Sequence, residues 1–337
     1  LFHTERKMAN TNNIDKTTRW GIIGCGDVTE VKSGPAYQNT KGFEIIAVMR
    51  RNAEKAADYA KRHHISKFYT NADDLINDPE VDAVYIATPP DSHKYYALKV
   101  AEVGKICCIE KPMAPSYADS LEIYTAFNKK EIPLFIAYYR RSLPRFTKIK
   151  EWLNAKKIGE IRHIKWQLSK PPSEQDLSGA YNWRTDAKVA PGGYFDDLAS
   201  HGLDLFIYLL GTIDQVHGIS LNQQNLYTAK DAVTACWLHE KGVTGEGSWS
   251  FGSWEHKDQV EIIGSSGKIS FSIFHENPLK IEDKDGVKTL VIEHPKHIQE
   301  FHVQDIKSHL LGEKPHPSLG NSGLHTSWVM DKILGVL

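Results

Sequence analysis

Short apolar runs alternate with stretches of helical spacing through the first half of the chain. Trp20 to Ile23 is one such run, closed by Gly24-Cys25-Gly26, and Phe43 to Met49 is a second. Asn52 to Arg62 then sets Ala56, Ala57 and Ala60 on one side of a helix. Val81 to Thr88 reads as a third strand, stopped by Pro89-Pro90, and Ser92 to Val103 as a helix ended by Gly104. Ile106 to Ile109 is a fourth strand. Ser116 is a candidate N-cap for the next helix, with Asp119 three residues on. Pro133 to Tyr138 is a further strand. Strands separated by helices predict βαβ units and a doubly wound parallel sheet. Unbroken apolar strands fit a sheet covered on both faces.

After about residue 150 the pattern changes to alternation. "IRHIKWQLS", "VTACWLHE" and "VTGEGSWSF" each place apolar residues at every second position. Val260 to Phe274 and Leu279 to Ile292 read as strands joined at Gly264-Ser-Ser-Gly267 and Asp285-Gly286. A helix over Leu198 to Leu210 interrupts this half, and another starts at Asn321. The second half is therefore an α+β domain with an open, mostly antiparallel sheet and helices on one side. The division expected is a flexible polar tail over 1–18, a nucleotide-binding domain over 19–140 and a second domain over 141–337. Met8 is a candidate natural start.

Composition narrows the functions. Among 337 residues the formal net charge is -1, so no overall field favours nucleic acid or an anionic membrane. No run approaches the roughly 20 apolar residues that span a bilayer. The four cysteines, Cys25, Cys107, Cys108 and Cys236, form no C-x-x-C. That argues against a disulfide framework or structural zinc and for a reducing cytoplasm.

The Gly24-x-Gly26 turn follows the first strand of a βαβ series, the context in which such a turn binds a dinucleotide. Backbone without Cβ approaches a pyrophosphate, and the helix beginning at Asp27 and Val28 offers its N–H groups. The third position of the G-x-G-x-x-G pattern is Thr29. The second strand ends in Met49-Arg50-Arg51-Asn52, without the carboxylate that accepts from an NAD ribose. Arg50 and Arg51 suit a 2′-phosphate, so NADP is expected over NAD. Two solvated arginines at a helix start are the plainer alternative.

Three segments carry a resemblance. "GIIGCG", "VYIATPPDSHKYYALKVAEVGKICCIEKPMA" and "GGYFDDLASHGLDLFIYLLG", in that order, resemble the glucose–fructose oxidoreductase/inositol dehydrogenase/MocA family. The resemblance runs over almost the whole chain from residue 19. It implies an N-terminal Rossmann domain and hydride transfer between a nicotinamide and a secondary alcohol or ketone of a sugar, cyclitol or related polyol. It also implies a homodimer or homotetramer formed through the second sheet. Lys111 of the E-K-P element would sit beside the nicotinamide, and Asp197-x-x-x-His201 matches the family's D-x-x-x-H motif, with Asp196 the neighbouring alternative. Thr88, Pro89, His93 and Glu110 match loop positions at the cofactor. Pro90 and Tyr139 depart from the family, which often has Asn at each.

Oxidising an alcohol requires an acceptor for its proton, and histidine titrates in the useful range. His201 is the expected acceptor, with Lys111 binding the same oxygen. Asp197 lies four residues before His201 and would orient it on one helical face. A divalent ion on Asp197, His201 and Asp204 is a weaker reading, because hydride transfer to nicotinamide requires none. Arg184, after Trp183, meets cofactor or substrate, or forms a structural ion pair. Tyr138 or Tyr139 would stack on a sugar, with Phe195 a weaker candidate. Trp166, Trp237, Trp249 and Trp254 are expected in the core. Competing functions are a non-catalytic cofactor sensor or a dehydrogenase of a non-sugar such as a dihydrodiol.

Overall fold

The computed structural model describes residues 17–337. The expected tail thus lies outside the described residues, apart from its last two positions; Thr18 already opens a strand. Six strands form the first sheet: β1 (Thr18–Ile23), β2 (Phe43–Met49), β3 (Lys67–Tyr69), β4 (Ala83–Ile86), β5 (Ile106–Ile109) and β6 (Leu134–Ile136). All pairs are parallel, in the order β3-β2-β1-β4-β5-β6. That is the Rossmann order, and ligands bind such sheets beyond the strand carboxyl ends where the order reverses, here between β1 and β4. Ile22, Ile23, Val48, Ile86 and Ile109 are fully sealed, as a two-sided cover demands. The edge strand β3 escapes sequence reading because three residues of mixed exposure carry no apolar run. The helix Tyr117–Lys129 starts as expected, with Ser116 Oγ accepting from the Asp119 N–H at 3.1 Å.

The second sheet has eight strands: β7 (Ile161–Ser169), β8 (Ile213–Leu221), β9 (Ala232–His239), β10 (Thr244–Ser250), β11 (Lys257–Gly264), β12 (Gly267–Phe271), β13 (Leu279–Asp283) and β14 (Gly286–Leu290). Their order is β14-β13-β12-β11-β7-β10-β9-β8, antiparallel throughout except where β10 meets β7. Ile164, Trp166 and Leu168 of β7 face the core, while Lys165 and Gln167 line the open outer face. This outer face is the surface through which the family resemblance implies association. Trp166, Trp237 and Trp249 are buried as expected. Trp254 is not: it is 98% exposed, because it lies on the loop between β10 and β11.

Helices Pro144–Asn154, Ser200–Leu210 and Gly320–Leu334 contribute buried residues to the core on the inner side of this sheet. The helix expected from Leu198 is preceded by a π-helical turn, Phe195–Ala199, and becomes α-helical at Ser200. Gly202 lets it lie flat on the sheet: a Cβ there would come within 2.3 Å of the Trp166 ring. His201 is therefore fixed by the close approach of its neighbour.

The chain returns to the first domain near its end. Val303 and Ile306 of helix Glu300–Leu310 join Trp20 and Phe43 in one core cluster. Ser318 Oγ donates to the Ile136 carbonyl at 2.8 Å, and the Ile136 N–H to the Ser318 carbonyl at 3.2 Å. The split expected at residue 140 takes no account of this return.

Several histidines are buried where water cannot solvate their charged form. Burial pushes His316 and His325 down to about 4, and His302 well below the usual range. The unfolded chain then binds more protons between about pH 6.5 and pH 4, so stability falls as pH falls through that window. Asp196, which burial raises to about 7, works in the opposite sense as pH rises, but the histidines outnumber such groups. The melting midpoint is expected to be about 5 °C or more lower at pH 5 than at pH 7.5. A flat or rising midpoint in a thermal scan would contradict this account.

Candidate active site

The glycine turn is shaped by contact between two strand ends. Gly24 has φ +91°, a left-handed conformation that favours glycine. A Cβ on it would lie 2.7 Å from Thr88 Cγ2 and 3.0 Å from the Thr88 nitrogen. The loops after β1 and β4 therefore touch, and only glycine fits between them. Gly26 begins the short helix Asp27–Val31 without a side-chain cap. Thr29 takes the third position of the motif because its hydroxyl folds back onto the Gly26 carbonyl at 2.8 Å. Arg50 reaches over the turn and donates through Nη1 to the Cys25 carbonyl at 3.1 Å, with Arg51 exposed beside it. A bare backbone turn with the Arg50 guanidinium on it fits a dinucleotide phosphate group.

His93 occupies a different place from a ligand contact. Its ring nitrogens lie 2.8 Å from the Thr88 carbonyl and 3.0 Å from the Pro112 carbonyl, and it is fully buried. It is a strut between the loops that follow β4 and β5, and burial pushes its pKa down. Pro89 precedes a single 3₁₀ turn, Pro90–Ser92, in which Pro90 takes the first position, so proline is accommodated where the family often has Asn. Ser92 Oγ donates to Thr88 Oγ1 at 2.7 Å. Glu110 is likewise turned inward: Tyr85 Oη and Gln299 Nε2 each donate to its Oε1 at 2.6 Å. Its carboxylate fastens β5 to the returning C-terminal segment instead of opening onto the rim.

Lys111, just beyond β5, crosses to the second domain. Its Nζ donates to Asp197 Oδ1 at 2.5 Å and to the Asp197 carbonyl at 3.0 Å. Arg184 Nε donates to Asp197 Oδ2 at 2.6 Å, and the guanidinium lies 4.3 Å from the Trp183 ring centroid. Of the readings for Arg184, the ion pair is the one formed. Burial would raise the Asp197 pKa, but the charges of Lys111 and Arg184 outweigh it and hold the carboxyl well below its ordinary range. A buried carboxylate between two cations stays ionised and fixes both.

His201 stands beside this trio but is not bonded to Asp197, whose two oxygens are taken. The expected Asp197–His201 contact is missing because the π-helical turn precedes His201 and because Lys111 and Arg184 claim the carboxylate. His201 Nδ1 is buried without a hydrogen-bond partner among the described residues. Burial, and then the charges of Arg140 and Lys111, hold its pKa well below the usual value. Its imidazole is neutral at physiological pH.

The rings differ from expectation. Tyr139 packs edge-on against His201 at 5.4 Å between centroids and is partly open. Tyr138 is sealed in the core of the first domain, and Phe195 in that of the second, so neither offers a face to a ligand. The register turns Tyr138 inward just past the last strand of the sheet. Asp204 is also withdrawn: Arg141 grips it through Nε at 2.7 Å and Nη2 at 2.8 Å, and Thr326 Oγ1 adds a third contact at 3.1 Å. The donors Asp197, His201 and Asp204 therefore do not converge. Sequence reasoning missed the parts played by Phe274, whose ring lies 5.9 Å from His201, and by Gln299. Neither sits in a motif, and both come from distant loops.

Comparison with known proteins agrees with this architecture. Residues 18–138 match the oxidoreductase family with an NAD-binding Rossmann fold, and residues 146–270 match the GFO/IDH/MocA C-terminal domain. A relative from Formosa agariphila, oxidoreductase P35, is 34% identical over 323 residues, covering 96% of this chain and 100% of that protein. The chain belongs to the GFO/IDH/MocA oxidoreductase family. A 1,5-anhydro-D-fructose reductase of Ensifer adhaerens is 23% identical over 317 residues, covering 91% of this chain and 92% of that protein. The solved structure of a levoglucosan dehydrogenase with NADH and levoglucosan has the same fold, with TM-score 0.84 and 22% identity over 94% of this chain and 96% of that one. No helix among the described residues is long and apolar enough to cross a membrane.

Proposed function

We propose that this protein is an NAD(P)-dependent dehydrogenase or reductase of a sugar, cyclitol or related polyol. The observation that carries the reading is the Lys111–Asp197–Arg184 trio beside a neutral His201. Bound nicotinamide supplies or accepts the hydride. Lys111 binds the reacting oxygen and stabilises the negative charge that develops on it. Asp197, itself fixed by Arg184, holds the ammonium in place. Neutral His201 takes the hydroxyl proton in oxidation and returns it in reduction. Tyr139 forms part of the substrate wall. A sugar-active relative that aligns over 91% of the chain supports this substrate class, while a trans-1,2-dihydrobenzene-1,2-diol dehydrogenase of Xenopus laevis, 29% identical over 46% of the chain, supports the dihydrodiol alternative.

The cofactor reading favours NADP. Two guanidiniums and no carboxylate follow β2, and Arg50 is already anchored at the turn. The levoglucosan dehydrogenase neighbour, by contrast, holds NADH. Fluorescence titration with NADPH and NADH tests the choice. NADPH is expected to bind about tenfold or more tighter, and Arg50→Ala with Arg51→Ala to weaken NADPH far more than NADH. Equal losses would show that neither arginine reads a 2′-phosphate. Tight cofactor binding with no turnover across a broad polyol panel would favour the sensor.

A further inference from the structure

Arg140 is a cation that makes no ion pair among the described residues, beside the proposed base. It lies on the turn Tyr139–Ser142 after β6 and is only 6% exposed. Its Nε donates to the Ile273 carbonyl at 3.1 Å, while its Nη1 is buried with no hydrogen-bond partner among the described residues. The guanidinium carbon lies 5.0 Å from the Tyr139 ring centroid and 4.7 Å from that of Phe274. Both rings also pack edge-on against His201. Arg140 and His201 thus share one aromatic box.

None of the surrounding carboxylates forms an ion pair with Arg140 among the described residues. Asp204 is paired with Arg141 and Asp197 with Lys111 and Arg184; Asp258 is turned to the neutral donors Trp166 Nε1, Ser272 Oγ and the Phe274 N–H, and Glu276 to the His294 N–H. A buried guanidinium that lacks an anion is costly to keep. The cost is offset when a ligand brings the missing negative charge.

Building on the polyol dehydrogenase reading, we infer that the substrate carries a carboxylate and that Arg140 is the residue that recognises it. The ligand class is a sugar acid, an aldonic or uronic acid, with its carboxylate on Arg140 and a secondary hydroxyl at Lys111 and His201. A monoanion matches a single guanidinium. The arrangement also links recognition to chemistry. After burial, the charge of Arg140 is the largest influence holding His201 in its neutral form. A bound carboxylate screens that charge, so the imidazole becomes a stronger base when an acid substrate is present. A neutral sugar leaves it weak.

The test is a set of initial-rate measurements on the cofactor-supplied protein with matched acid and neutral pairs: D-glucuronate and D-glucose, D-galacturonate and D-galactose, D-gluconate and D-glucitol. At least one acid is expected to show a kcat/KM about tenfold or more above its neutral partner. Arg140→Met should bring that ratio towards one, and Arg140→Lys should retain part of it. Should Arg140→Met fail to fold, the wild-type ratios still decide. Neutral partners equal to or better than every acid would overturn the inference while leaving the dehydrogenase intact. A ratio unchanged in Arg140→Met would overturn the role of Arg140, and sugar phosphates outperforming the acids would overturn the carboxylate. No turnover of any compound by cofactor-binding protein would overturn the dehydrogenase reading and the inference with it.

Discussion

Lys111→Ala should lower turnover by roughly 10²–10⁴-fold, because in the proposed mechanism one side chain supplies both the grip on the reacting oxygen and the charge opposite it. The ammonium is held by two bonds to a single residue, so its position in the cleft is defined before substrate arrives. Alanine removes the charge and leaves Asp197 with Arg184 alone. The proposed cofactor cradle uses other groups, chiefly the Gly24 turn and Arg50, so cofactor affinity should change by less than about threefold. Lys111→Arg keeps the charge but not the point geometry of an ammonium, and should recover only part of the rate. Steady-state kinetics paired with cofactor titration separate these effects. Turnover within about threefold of wild type in Lys111→Ala would remove the lysine from the mechanism.

How far the fold could be read in advance depended on how each element is stabilised. The central strands of the first sheet are buried on both faces, so their apolar runs are unbroken and stand out. Strand β7 is half-buried, and alternation of Ile164, Lys165, Trp166 and Gln167 reports it equally well. Elements held by tertiary contact at an edge leave no such trace. β3 is three residues long, and the helix Ala72–Asn77 has six, too short for a period to show. The crossing of Glu300–Leu310 to the first domain is invisible for another reason: its apolar positions say that it is buried, not against what.

The same limit governs the site. Lys111, Asp197 and His201 were legible through a family resemblance, but their mutual geometry was not. Lys111 and Asp197 stand 86 positions apart, and spacing cannot reveal their pairing. Spacing suggested Asp197 with His201 instead, on the premise of an α-helix. The π-helical turn over Phe195–Ala199 breaks that premise. Arg140 and Arg141 illustrate the point at closest range. Two identical neighbours in sequence become an unpaired cation in an aromatic box and one half of a buried ion pair.

That ion pair gives the second large effect. Arg141→Met should reduce the free energy of unfolding by about 3–5 kcal/mol, the usual cost of stranding a buried charge. Arg141 joins three segments: it grips Asp204 on helix Ser200–Leu210 and donates through Nη1 to the Pro317 carbonyl at 2.9 Å, from its own place after β6. Burial pushes the Asp204 pKa up, and Arg141 opposes that push. Without the guanidinium the carboxyl would escape part of the penalty by taking a proton, which limits the loss at low pH and makes it grow as pH rises. The double variant Arg141→Met with Asp204→Leu should then be more stable than Arg141→Met alone, because no charge is left buried. Denaturant titrations at pH 6 and pH 8 measure all three quantities. A loss below about 1 kcal/mol in the single variant, or no recovery in the double, would mean that the pair is held for position instead of stability.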